Sequence, residues 1–528
     1  MRPFLPSMEG EVKPGARGRN LPGWEEDPIS SPSPPGASLQ SQYRGLLLMI
    51  LVLGPGGTFP YGFHLAVTNA PSKHIRSFLN ATWAARHGSA PAPETLTLLW
   101  FSVVSIFGLG GILGCLCSQS LMGRFGKKKC LLFNNLFMLG ASGVLAGSKM
   151  ASSFEMVLAG RLLVGFSSGI SLMVHPIYAG EIAPRSLRGF TNASVGIFVT
   201  LGKVFGQVLG LRELLGTESL WPCLLGCPAV TALLQLVTLP FFPESPRYLL
   251  MEKGDQDACW KAVQQLWGAG DHKAEVEDMR KEQAGLSGAR PRGPLQLLRE
   301  HSLRRPITIT LILGTALQFS GINAIYFYAS EVLQQAGFSE RLVPYVSVGI
   351  STCDFFSSML CSFVIERFSR RGLLLTSYFQ MGLVLLLLTV TLNLQSLVSW
   401  MAVCSALLLF LFTFIFSAGA AGTSMCIAME IFDQENRLAA MVIMCTLLWG
   451  GNFLLAVLFP ILVATLRSFC FLVFPSILTG AWIFIYLFLP ETRGRSIVDI
   501  TAAFAQRPQG RTPPGSPPLQ DPQYCTQF

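Results

Sequence analysis

The sequence predicts an all-α membrane protein, with twelve transmembrane helices in two parallel six-helix repeats. Three observations predict it. The 528 residues are 51% hydrophobic and only 13% charged, with a mean hydropathy of +0.48, more apolar than a soluble domain. Apolar runs of about 20 residues, the length that crosses roughly 30 Å of hydrocarbon, can be placed twelve times. Short charged clusters at the ends of these runs also occur twice, offset by 243, 249 and 247 residues. Arg124-Phe-Gly-Lys-Lys returns as Arg367-Phe-Ser-Arg-Arg, Glu181 with Arg188 returns as Glu430 with Arg437, and Pro243-Glu-Ser-Pro-Arg returns as Pro490-Glu-Thr-Arg-Gly-Arg. So constant an offset marks a duplicated six-segment unit.

The runs fall near 45–63, 96–121, 130–149, 155–182, 190–211 and 220–242 in the first repeat. In the second they fall near 307–328, 343–365, 373–394, 399–430, 436–464 and 468–489. The first follows a long Pro-, Ser- and Gly-rich stretch, unlike a signal peptide, and reads as a retained helix. The predicted organisation is a disordered tail (1–42), a six-helix bundle (43–243), a linker (244–305), a second bundle (306–489) and a tail (490–528). In the linker, charges alternate with Trp260, Val263, Leu266, Trp267, Val276 and Met279 at helical spacing, which predicts short amphipathic helices lying at the membrane face. It carries no Gly-rich phosphate loop, nucleophile elbow or metal triad, which argues against an ATP-driven pump or an enzyme.

The formal charge of +9 points to a bilayer rather than to nucleic acid, because basic residues crowd alternate loops. Arg124 with Lys127 to Lys129, Arg185 with Arg188, Arg367 with Arg370 and Arg371, and Arg437 share one side with both tails. The positive-inside rule makes that side cytoplasmic, in a multi-pass protein of the plasma membrane. The first loop on the other side carries Lys73, Arg76 and Arg86 but also the sequon Asn80-Ala-Thr82, so Asn80 is the expected N-glycan site. A second sequon, Asn192-Ala-Ser194, falls in the fifth run and is expected to be buried there. The thirteen cysteines are scattered, mostly within apolar runs, and read as small hydrophobes, with no metal, cofactor or structural disulfide expected. The terminal Thr526-Gln-Phe528 matches, weakly, a PDZ-domain ligand.

Several motifs together resemble the facilitative glucose and fructose transporters of the major facilitator superfamily. They are Arg124 to Lys128, Gly160-Arg161, Glu181-x-x-Pro-Arg-x-x-Arg-Gly189, Pro243-Glu-Ser-Pro-Arg-Tyr-Leu-Leu250, Gln318-Phe-Ser-Gly-Ile-Asn323, Glu366 to Arg371 and Pro490 to Arg495. Arg86-His-Gly88, Thr95-Leu-Thr-Leu-Leu-Trp100 and Gly210-Leu-Arg-Glu-Leu-Leu-Gly216 are similar to the fructose and urate branch. The resemblance implies facilitative hexose transport, fructose or glucose, by alternating access around a site between the halves. It places Gln318 and Asn323 on the sugar, with Trp449 and Asn452 lining the site; Tyr326, Tyr328 and Gln207 are further polar candidates. Amides suit a ligand covered in hydroxyls because each both donates and accepts. The resemblance also implies a cytoplasmic gate at the inner helix ends, with Arg124, Arg161 and Arg188 of one half, Glu366, Arg367 and Arg370 of the other, and Glu181, Glu430 and Arg437.

Departures from the family pattern leave other readings open. Gly196 and Leu317 stand where glutamines are usual, Pro60 and His64 where amides are usual, and Ser369 where a glycine is usual. Gly419-Ala-Ala-Gly-Thr-Ser-Met425 replaces a glycine- and proline-rich stretch, a loss expected to stiffen the tenth helix. Lys203 and Asp354 are charges at membrane depth, which usually mark a pathway. Three expectations compete: an ion pair between the halves, a snorkelling Lys203, or a lysine that draws an organic anion such as urate. A poorly active sensor or scaffold is a further alternative.

Overall fold

The computed structural model describes residues 43–504 except 269, 287–292, 396, 399, 496–498 and 501–502. Among the described residues every regular element is helical. The first half comprises α1 (Arg44–Ala66), α2 (Pro93–Phe125), α3 (Lys127–Gly147), α4 (Phe154–Ile182), α5 (Arg188–Leu209) and α6 (Trp221–Phe241). The second comprises α7 (Arg304–Gln318 and Ile322–Gln335), α8 (Val343–Arg367), α9 (Arg370–Leu394), α10 (Met401–Glu430), α11 (Gln434–Leu466) and α12 (Val473–Phe488). Eleven apolar runs are long enough to span a bilayer, and the last, Glu435–Phe488, has 54 residues. At about 1.5 Å per residue it would extend roughly 80 Å, more than twice a hydrocarbon core. The chain folds it in two: α11 stops at Arg467, whose φ is 51°, and a 3-10 segment, Arg467–Leu472, leads into α12. The run therefore supplies the eleventh and twelfth crossings.

The packing of the first half is repeated in the second. Helix α2 packs on α4 as α8 packs on α10, α1 on α5 as α7 on α11, and α3 on α6 as α9 on α12. The halves meet where α5 lies against α8 and α2 against α11. Large apolar side chains such as Leu113, Phe133, Phe356, Phe363, Leu386 and Leu487 point outward, as they must where the surroundings are lipid.

The linker joins the bundles on one side, called here the linker face. Its helices are Pro246–Met251, Gln256–Trp267, Lys273–Leu286 and Pro294–Arg299. Asp255 starts the second, its carboxylate accepting the Ala258 N–H at 2.9 Å, an ordinary N-cap. The apolar side of that helix faces protein: Cys259, Val263, Leu266 and Trp267 are buried, and the Trp267 indole donates to the Ile182 carbonyl at the end of α4, at 2.8 Å.

Four membrane helices are irregular; the sixth is interrupted at Cys227, between Trp221–Gly226 and Pro228–Thr238. The first and seventh, equivalent in the repeat, are both interrupted, α1 at Gly57-Thr58 and α7 at Phe319 to Gly321. Gly321 takes φ 100°, a left-handed conformation that glycine adopts without steric cost. In α10, Phe416–Ala421 form a π-helical turn. Without its prolines the tenth helix still departs from α geometry, by a wider turn. The substitution at Ser369 also has a local use, its hydroxyl capping α9 by accepting the Gly372 N–H at 3.1 Å.

Candidate functional site

The break in α7 brings two amides together. Gln318 ends the first piece, Asn323 lies in the first turn of the second, and the Asn323 amide donates to the Gln318 side-chain oxygen. Both are almost wholly buried. Helix α11 closes on them, since a Cβ on Gly451 would lie 2.5 Å from the Gln318 Cβ. Trp449 and Asn452 lie on either side of Gly451 in the sequence, one turn from each other, both buried. The Trp449 Nε1 and Asn452 Oδ1 have no protein partner among the described residues. The indole reaches across the interface: it packs against Tyr61 at 5.1 Å and Phe107 at 5.3 Å, and a Cβ on Gly111 of α2 would fall 2.0 Å from its ring. Only glycine leaves room for the ring there. The arrangement is an apolar, aromatic wall with a few convergent polar groups at a helix break, the composition of a small-molecule site.

Two expected site residues are otherwise engaged or set apart. The Tyr326 hydroxyl donates to Asp354 Oδ2 at 2.8 Å, and its backbone carbonyl accepts from the Asn69 amide, so Tyr326 serves a charge cluster rather than offering a free hydroxyl. Gln207 is buried one turn beyond Lys203 on α5. The Tyr328 side chain lies outside the described residues.

The ion pair expected of Lys203 and Asp354 is present. Nζ stands 2.8 Å from Asp354 Oδ2, with both side chains buried, and 3.8 Å from the centre of the Tyr326 ring. Ser417, in the π turn of α10, donates to Asp354 Oδ1. One carboxylate therefore joins α5 of the first half to α7, α8 and α10 of the second. Snorkelling of Lys203 is excluded by this geometry.

At the linker face the repeat is visible atom by atom. Lys127 lies 3.4 Å from Glu181, and Arg370 lies 3.4 Å from Glu430. Ser245 donates to Glu181, as Thr492 donates to Glu430 at 2.6 Å. Glu244 accepts the Lys128 N–H at 3.1 Å, at the start of α3; Glu491 accepts the Arg370 and Arg371 N–H groups at 2.9 and 3.2 Å, at the start of α9. Each carboxylate thus sits at a helix N-terminus, where negative charge is favoured. Burial nevertheless raises the Glu244 pKa, outweighing its hydrogen bonds. Glu491 is less buried, and the N–H groups of Arg493, Arg370 and Arg371 together overcome desolvation and lower its pKa.

Two observations bear on the expected gate. The recorded ion pairs of Glu181 and Glu430 lie within their own halves, and Lys127 also reaches Glu252 of the linker at 3.3 Å, so these pairs brace the bundles. Arg161 is not at this face at all. It lies seven residues into α4 from the opposite face, about 11 Å deep, fully buried. The Gly-Arg pair resembled the other charged motifs in sequence, but helix direction puts it in the other leaflet. Arg188 begins α5, and Arg124 and Arg367 are exposed at the ends of α2 and α8. Arg437 donates to the Met429 and Phe432 carbonyls at 3.1 and 3.4 Å. The halves approach where a Cβ on Gly189 would stand 3.2 Å from Glu366 Oε1. Sequence reasoning passed over Ser245 and Thr492, although their matched places in the repeated Pro-Glu-Ser/Thr motif were the available signal.

On the opposite face, Asn80 is exposed on helix Ser72–His87. Asn192 is corrected: it is exposed near the linker-face start of α5, not buried in the protein.

A family profile described as "Sugar (and other) transporter" matches residues 49–504. Human solute carrier family 2 facilitated glucose transporter member 11 is 41% identical over 477 residues, covering 89% of this chain and 96% of that protein. Mouse member 9 is 39% identical over 469 residues (89% and 87% covered), and rat member 5 is 38% identical over 468 residues (88% and 93% covered). Among solved structures, the proton:xylose symporter XylE bound to 6-bromo-6-deoxy-D-glucose superposes with a TM-score of 0.71, over 88% of this chain and 100% of that one, at 19% identity. A partially occluded, inward-open conformation of XylE from E. coli gives 0.70, over 86% and 100%, at 19% identity. That likeness is one of fold. The molecule is a multi-pass membrane transporter of the major facilitator fold and not an enzyme. It belongs to the sugar transporter family.

Proposed function

We propose that the protein carries a hexose, fructose or glucose, down its gradient across the plasma membrane by alternating access. The observation that carries this reading is the set of buried polar groups at the α7 break and on α11. Gln318 and Asn323 are hydrogen-bonded to each other, while Trp449 Nε1 and Asn452 Oδ1 lack a protein partner among the described residues. Left so, buried polar atoms cost free energy, and hydroxyl groups of a sugar satisfy both a donor and an acceptor of this kind. The printed names of the relatives, facilitated glucose transporters, support the same class. The substrate site comprises Gln318, Asn323, Trp449 and Asn452; Gln207 lies apart from it on α5, one turn beyond Lys203.

An anion such as urate is the competing cargo. The pairing of Lys203 with Asp354 favours the neutral sugar, because the ammonium that would attract an anion is already neutralised. The linker face is cytoplasmic, with both tails on that side and the glycan of Asn80 outside. The working division is 43–243 and 306–489 for the bundles and 244–305 for the linker. The expected tail 1–42, the part of the expected tail 490–528 from 505 onward and the PDZ-like end Thr526 to Phe528 lie outside the described residues; a PDZ partner belongs to this proposal only as a sequence match. Counterflow in proteoliposomes with a panel of hexoses, polyols and urate tests the reading. Exchange of a hexose supports it, and exchange of urate alone overturns it.

A further inference from the structure

We propose that Arg161 and His64 form a binding site for a small monovalent anion, enclosed by α1, α2 and α4 beside the aromatic wall of the sugar site. Arg161 is fully buried. Its Nε donates to the Val103 carbonyl and its Nη1 to the His64 carbonyl, both at 3.2 Å, and its guanidinium lies over the Phe107 ring at 4.6 Å. Carbonyl dipoles and a π face supply partial negative charge only. No carboxylate among the described residues pairs with Arg161, and Nη2 has no protein partner among them. A buried cation at membrane depth without a counter-charge is expensive.

The second observation is independent of the arginine. The His64 side chain is also fully buried, and neither ring nitrogen has a protein partner among the described residues. Its ring packs edge-on to Phe63 at 5.7 Å and lies 6.1 Å from Phe107. A guanidinium N–H and an imidazole N–H are thus left over around one phenyl ring. Both are donors, and an ionised acceptor makes the shortest and strongest bonds to such groups. A metal cation would be repelled by Arg161. A neutral hydroxyl would satisfy the donors but leave the charge uncompensated.

The position gives the anion a consequence. Phe107, under the guanidinium, also packs on Trp449 at 5.3 Å, so the anion and the sugar wall share one ring. Lys203, the other deep cation, is already matched by Asp354; an unmatched positive charge is found at Arg161. The monovalent anion has two possible sources, a free halide or the ionised group of a transported organic acid. This goes beyond the hexose reading and does not depend on it.

The test uses the full chain in lipid nanodiscs. Radiolabelled chloride binding is measured by equilibrium dialysis, and thermal unfolding is followed with chloride exchanged for gluconate. Binding of labelled urate and lactate forms the second arm. Saturable chloride binding, with a midpoint that rises with chloride, assigns the halide; binding of an organic monoanion without chloride binding assigns the solute. In either case His64→Phe and Arg161→Met, which remove the donors, should weaken binding at least about tenfold, as expected for loss of a hydrogen bond to a charged group. If Arg161→Met does not fold, His64→Phe decides alone. Absence of binding in both arms, or binding unchanged in folded His64→Phe, overturns the proposal. Sugar counterflow is read separately, so failure here is distinct from failure of the transport reading.

Discussion

Lys203 on α5 and Asp354 on α8 form a buried 2.8 Å ion pair across the two halves of the molecule. The pair lies on an interface that alternating access must rearrange, and Tyr326 and Ser417 attach it to α7 and α10. Removing one partner of such a pair leaves an uncompensated charge and costs about 3 to 5 kcal/mol. Lys203→Ala and Asp354→Ala should therefore each lower the thermal midpoint and the uptake. The double variant Lys203→Ile with Asp354→Asn should recover much of both, because the residues act as a unit. A double variant no better than the worse single would show that the pair is not coupled.

Gln318→Ala and Asn323→Ala should each weaken sugar affinity threefold to tenfold or so with surface expression retained, the equivalent of about 0.5 to 1.5 kcal/mol for a hydrogen bond to a neutral hydroxyl. Concentration-dependent uptake checks this. Unchanged kinetics for every transported sugar would mean that the two amides serve only each other.

Asn80 should carry the only N-glycan. Glycosidase treatment should produce one shift in mobility, abolished by Asn80→Gln. Asn192 is exposed yet sits near the linker face, so its protection comes from its side of the membrane. A shift that survives Asn80→Gln would invert the proposed orientation.

Glu244 and Glu491 occupy equivalent places but should respond to acid in opposite senses. The lowered pKa of Glu491 means that its contribution is present above the ordinary carboxylate value, about 4.3, and lost as pH falls through the lowered folded value. The raised pKa of Glu244 means that it favours the fold below that ordinary value, a contribution lost as pH rises through the raised one. Thermal unfolding against pH checks this: Glu491→Gln should lose stability at neutral pH and draw level with the parent in acid. Glu244→Gln should fare better relative to the parent at neutral pH than in acid. Parallel curves for both variants would remove the distinction.

Much of this was legible in the sequence. Helix number followed from apolar length, and the clusters of Lys127, Glu181 and Ser245 beside Arg370, Glu430 and Thr492 followed the repeat. The Lys203–Asp354 pair was readable because two charges at similar depth on facing helices have few other ways to be accommodated. Arg161 was misplaced because a Gly-Arg pair does not state which end of its helix is nearer. The π turn was invisible because no proline marks Phe416–Ala421. The brace within each half was hidden for a related reason: one acidic residue can reach a base on either side, and only packing selects which.

The π turn also sets a register. Ser417 meets Asp354 inside it, and Glu430 meets Arg370 between three and four helical turns later. A π turn takes about one residue more than an α turn for the same rotation, and successive residues of an α-helix are rotated by about 100°. Letting Phe416–Ala421 relax to α geometry with no residue removed would therefore turn everything beyond it by about that angle. Glu430 would swing off Arg370 and Thr492 although none of the three had been changed. The wide turn absorbs one residue that a regular α-helix could not take up without rotating, and so keeps the mid-membrane charge cluster and the linker-face brace in phase along one helix.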